Sequence, residues 1–94
     1  MTETGRIARA FKVLSVETRV EMLSLLKSRE LCVNALAKKL GITPAAVSQH
    51  LRVLRDAGLV FAERKGYFVH YRINPEALDR LRRDADMLLG QVLE

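Results

Sequence analysis

The chain has 94 residues, 49% apolar and 29% charged, enough for one small core and inconsistent with a disordered tail, a fibre or a membrane span. Cys32 is the single cysteine, which excludes an intrachain disulfide, a dithiol redox motif and a cysteine-rich zinc site and fits a reducing cytoplasm. Sixteen Lys and Arg against eleven Asp and Glu leave a net charge of +5, a modest excess whose distribution matters more than its size.

Glu3, Arg6, Arg9 and Lys12 interrupt the first fourteen residues, so they lack the apolar core of a signal peptide. Ile7, Ala10, Phe11 and Leu14 recur there at helical spacing, predicting a first helix over 5–14. Ser15 is placed to cap a second helix, with Glu17 in its first turn and Val16, Val20, Leu23 and Leu26 on its inner face. After a short β link at Glu30-Leu31-Cys32, Leu36 and Leu40 mark a third helix stopped by Gly41. Thr43 followed by Pro44 opens a fourth, closed by Gly58.

The period then changes. Leu59 to Arg64 and Tyr67 to Ile73 are rich in β-branched and aromatic residues and read as strands joined by a two-residue turn at Lys65-Gly66. Asn74-Pro75 restarts a helix over 75–93, in which Leu78, Leu81, Ala85, Leu88 and Val92 form a heptad-like seam. The order is mainly α with a β-hairpin wing, a winged helix-turn-helix in a single domain over 1–94. Its terminal helices, through that seam and through Ile7, Phe11 and Leu14, are left over for a dimer interface.

Residues 38–72 carry seven basic and two acidic side chains, whereas the flanking segments nearly cancel. A basic stretch of this kind is the electrostatic footprint of a binder of double-stranded DNA. On the fourth helix, at about 100° per residue, Val47, Leu51 and Leu54 share the core side. Ala45, Ser48, Gln49 and Arg52 are left on the other. Gln pairs with adenine and Arg with guanine in the major groove, Thr43 and Ser48 can bind phosphate or base edges, and Ala45 fits a thymine methyl. His50, at the edge of the core arc, is read as a packed or phosphate-bonding imidazole rather than a metal ligand. Arg64 and Lys65 at the hairpin tip supply cations for phosphates or a neighbouring minor groove. His70 is read as solvent-facing or wing-supporting. A two-fold protein would require an imperfect palindromic operator.

Lys12-Val13-Leu14-Ser15-Val16-Glu17-Thr18-Arg19, Glu30-Leu31-Cys32-Val33, the run Val47-Ser48-Gln49-His50-Leu51-Arg52-Val53-Leu54-Arg55-Asp56-Ala57-Gly58-Leu59-Val60, and Gly66 with Val69, Tyr71 and Ile73 resemble the ArsR/SmtB family of bacterial repressors. The resemblance spans nearly the whole chain. It implies a homodimeric winged-helix repressor that leaves its operator when an effector binds. The metal box of arsenic- and cadmium-type members reads Glu-Leu-Cys-Val-Cys-Asp-Leu, but Asn34 and Ala35 stand here where that box has its second Cys and its Asp. One thiol per subunit does not make a soft-metal shell. The last helix holds carboxylates but no His, so the family's zinc-type site is also missing. The expectation is therefore no metal, no cofactor and an unidentified effector. Cys32 is either a small buried side chain or, if exposed and ionised, a thiol switch.

With one Cys, two separated His, no glycine-rich phosphate loop and no paired carboxylates, the chain offers no catalytic constellation. The competing reading is a winged helix serving as a protein-interaction module or acting through a partner protein. Salt distinguishes the two, because counterion release makes DNA binding steeply salt-dependent.

Overall fold

A computed structural model describes residues 2–93. Five helices, α1 (Glu3–Val13), α2 (Glu17–Ser28), α3 (Val33–Leu40), α4 (Pro44–Asp56) and α5 (Pro75–Leu89), enclose a small sheet of β1 (Leu31–Cys32), β2 (Val60–Lys65) and β3 (Phe68–Ile73). The sheet is antiparallel in the order β1-β3-β2, with Leu31 opposite Tyr71 and Val60 opposite Ile73. This is the winged helix-turn-helix that the sequence pattern predicts. No helix among the described residues is long and apolar enough to cross a membrane.

The core sits where α2, α3 and α4 meet the base of the sheet. Met22, Leu36, Val47, Leu51, Leu54 and Val60 are fully enclosed, and Leu23, Leu26, Leu31 and Leu59 complete the cluster. The inner face of α2 differs from expectation. Met22 is buried and Val20 is 45% exposed, because the helix is rotated to pack Met22, Leu23 and Leu26 together. Its start also differs. Val16 occupies the N-cap position without a side-chain bond, and the Ser15 hydroxyl instead donates to the Lys12 carbonyl at 2.7 Å, closing the end of α1. At the other end of α1, Thr2 caps the helix by accepting from the Gly5 N–H at 3.0 Å, so the helix begins two residues before the apolar periodicity suggests.

Gly41 ends α3 at φ +68°, the left-handed conformation that costs a side-chain-bearing residue about 1 kcal/mol or more. Its N–H and that of Ile42 both bond the Ala37 carbonyl, which turns the chain sharply into α4. Asn74 does the equivalent work for α5. Its Oδ1 accepts from the Ala77 N–H at 3.4 Å while its Nδ2 donates to the Gly58 carbonyl at 2.9 Å, fixing the start of α5 against the end of α4. α5 ends at Leu89, so Val92 lies beyond the helix and is 81% exposed, and the proposed seam is reduced to Leu78, Leu81, Ala85 and Leu88.

One ionic feature links the terminal helices. Asp84 of α5, only 7% exposed, accepts from Arg6 Nη2 of α1 at 2.9 Å.

Candidate nucleic-acid interface

α4 starts with Thr43, whose hydroxyl oxygen accepts from the Ala46 N–H at 3.1 Å, and with Pro44, which presets the first helical φ. The helix then presents two faces. Val47, Leu51 and Leu54 are buried, and Ala45, Ser48, Gln49 and Arg52 all lie exposed on the opposite side. Arg55 and, on α3, Lys38 and Lys39 are also exposed, so cations flank the polar face. This juxtaposition suits a major groove: small side chains allow close approach, Gln49 offers a donor beside an acceptor, Arg52 offers two donors, and the flanking cations are placed for phosphates.

His50 is placed differently from its neighbours. Its half-buried Nδ1 faces Arg19 Nε of α2 at 3.3 Å, while Arg19 Nη1 donates to the Val13 carbonyl at the end of α1 at 3.1 Å. Arginine has no acceptor, so Nδ1 must accept and the neutral ring carries its proton on Nε2. His50 therefore ties α4 to α1 and α2 through one guanidinium, and only its Nε2–H is left for a phosphate.

The wing is shifted by one residue from the sequence reading. Lys65 pairs with Phe68, so the loop is Gly66-Tyr67 rather than Lys65-Gly66. Gly66 alone has positive φ, +66°, which is the type II′ signature and needs glycine at the first loop position. Tyr67, 99% exposed, forms the tip. The two expected wing cations also separate, since neighbours on a strand face opposite ways. Arg64 is exposed on the face shared with Ala62 and Val69. Lys65 lies on the other and bonds Glu30 Oε1. That hydrogen bond, helped by His70 Nδ1 at 3.2 Å, holds the Glu30 carboxyl below the usual carboxylate range and raises the Lys65 ammonium. Of the two readings of His70, solvent-facing or wing-supporting, its contact with Glu30 favours the second. Sequence spacing does not reveal Glu30, because its two partners lie 35 and 40 residues along the chain.

Glu30→Gln leaves Lys65 without its counter-charge. The expected result is a several-fold gain in affinity for any duplex, with sequence preference unchanged, read by fluorescence anisotropy. Because the folded Glu30 pKa is depressed, the clamp is intact at neutral pH and is lost only as pH falls through that lowered value.

Cys32 is half-buried at the N-terminus of α3, opposite His70 in the strand register. Among the described residues no group of three His, Cys, Asp or Glu side chains is gathered to hold a metal ion.

The family model for bacterial regulatory proteins of the arsR family matches residues 17–61. The arsenic resistance transcriptional regulator ArsR1 of Pseudomonas putida is 42% identical over 67 residues, covering 70% of this chain and 52% of that protein. The chain likewise spans less than two thirds of the length of two further curated relatives. Among solved structures, an ArsR-like transcriptional regulator from Rhodococcus superposes with a TM-score of 0.80 at 29% identity, covering 90% of this chain and 80% of that one. A homodimeric winged helix-turn-helix DNA-binding domain from Mycobacterium bovis superposes with a TM-score of 0.75 at 33% identity, covering 97% of this chain and 84% of that one.

Proposed function

Since the chain belongs to the ArsR family of bacterial regulatory proteins, we propose that it is a homodimeric, sequence-specific transcriptional repressor acting on DNA in the cytoplasm. The observation that carries this reading is the outward face of α4, where Ala45, Ser48, Gln49 and Arg52 stand together opposite the buried Val47, Leu51 and Leu54. Those four side chains read bases. Thr43 and the Nε2–H of His50 bind phosphate, and Arg64 with the wing follows the backbone toward the next minor groove. Lys65 is a wing cation only in part, because Glu30 shares its charge.

Two copies related by a two-fold axis would bring two α4 helices to successive major grooves about 34 Å apart, which demands an imperfect palindrome. The effector that releases the repressor lies outside the thiophilic metals. Asn34 and Ala35 supply no soft ligand, and a single Cys32 per subunit is too few.

The test is binding to the DNA upstream of its own reading frame over a salt series. Affinity should fall by about 10³-fold or more between roughly 50 and 200 mM salt, and stoichiometric zinc, cadmium or arsenite should leave the complex intact. Salt-insensitive binding would assign the basic surface to a protein partner, and release by metal that Cys32→Ser abolishes would restore Cys32 as a sensor.

A further inference from the structure

Between α1, α5 and the corner where α4 passes into β2 lies a cleft of about 510 Å³, within the range of small-molecule sites. We propose that it binds a small organic carboxylate with an apolar body. Its apolar lining is Ala10, Ala57, Leu59, Ala77 and Leu81, and of the three arginines that line it, Arg6, Arg80 and Arg83, two are placed to meet an anion. One is Arg6. Its Nη2 is committed to Asp84, but its Nε is buried and, among the described residues, has no hydrogen-bond partner. A buried donor left without an acceptor costs about 1–3 kcal/mol, and a turn of the Arg6 side chain that brings Nε to an incoming carboxylate oxygen relieves that cost. The other is Arg80, exposed and without an ion pair among the described residues.

The remaining charges do not cancel this attraction. Asp84 is occupied by Arg6, and Arg83 is turned to Asp79 at 3.3 Å, so Glu76 is the one acidic side chain of the lining that Arg80 must outweigh. Arginine pairs with carboxylates through two parallel donors, which favours a planar anion over a spherical one. The cleft is also distinct from the dimer seam. Taking roughly 100° per residue, Arg6 and Ala10 are centred about 100° from Ile7 and Phe11 on α1, and Glu76, Arg80, Arg83 and Asp84 lie about 100° or more from Leu78 and Ala85 on α5, with Leu81 shared by the two faces. Ala57 and Gly58 at the end of α4 form part of its wall. An occupant would therefore touch the terminal helices and the DNA-reading helix together.

The experiment is calorimetric titration of the full chain, without DNA, using acetate, butyrate, benzoate and the neutral benzamide. Binding in this assay does not depend on whether the protein is a repressor. Benzoate should bind saturably with a millimolar or lower Kd, affinity should rise from acetate to butyrate to benzoate, and benzamide should not bind. Arg80→Gln, a change at an exposed position, should weaken benzoate on the order of tenfold, whereas Arg29→Gln, just past the end of α2, should not. Amide chemical shifts of Ala10 and Leu59 should move with the titration. No saturable binding by any of the three acids, equal binding of benzamide, or unchanged affinity in Arg80→Gln overturns the assignment.

Discussion

Ala85→Arg gives a folded monomer that holds its operator on the order of 10²–10⁴-fold more weakly than the native dimer, because two linked recognition helices act as one bivalent ligand and a single helix does not. Ala85 is half-buried on α5 between Leu81 and Leu88, on the stripe that carries Leu78. It is not part of the chain's own core cluster, so a guanidinium there disturbs the partner's surface more than the fold. Leu81→Arg gives the same dissociation together with a loss of stability, since Leu81 also packs against the core. Sedimentation of Ala85→Arg as a dimer with native DNA affinity would remove α5 from the interface. Helical circular dichroism separates dissociation from unfolding.

Arg52→Ala costs about 1–3 kcal/mol on the cognate operator, roughly 5- to 150-fold in Kd, and flattens the preference for one sequence over another. The side chain is exposed, points away from Leu51 and Leu54, and makes no ion pair among the described residues, so truncation leaves the fold intact and removes a bidentate base contact. Arg64→Ala is the comparison. It weakens cognate and random duplexes alike and lowers the salt slope by about one, as expected for a phosphate contact. Equal losses on cognate and random duplexes for Arg52→Ala would move base readout elsewhere on α4.

Local signals carried much of this architecture. Thr43-Pro44, Gly41 and the spacing of Val47, Leu51 and Leu54 each report on neighbours within one or two helical turns, and each is realised in the structure. The exposed side of α4, with Ala45, Ser48, Gln49 and Arg52, was legible for the same reason. What was not legible depends on residues far apart in sequence. The Arg19–His50 tie, the Glu30 clamp on the wing and the Arg6–Asp84 pair join positions 31 to 78 residues apart, and no periodicity encodes them. The α2 rotation belongs here too: Val20 and Met22 both sit near the apolar side of the helix, and only the partners on α3 and α4 decide which is enclosed. The wing turn was displaced by one residue because a Lys65-Gly66 loop and a Gly66-Tyr67 loop differ only in where glycine's positive φ falls.

The two-residue strand β1 bears on the order in which the molecule assembles. Leu31 pairs with Tyr71 across forty intervening steps of chain, and the whole helix-turn-helix is contained in the loop so closed. The contacts of α3 with α4 are short-range and cost little closure entropy, whereas β1 must close a long loop to reach β3, its one strand partner among the described residues. The expected kinetic mark is a φ-value near zero for Leu31→Ala beside a higher one for Leu51→Ala. In this order α4 is built early from its own neighbourhood, and the strand that staples the wing arrives late, as the closing step of folding.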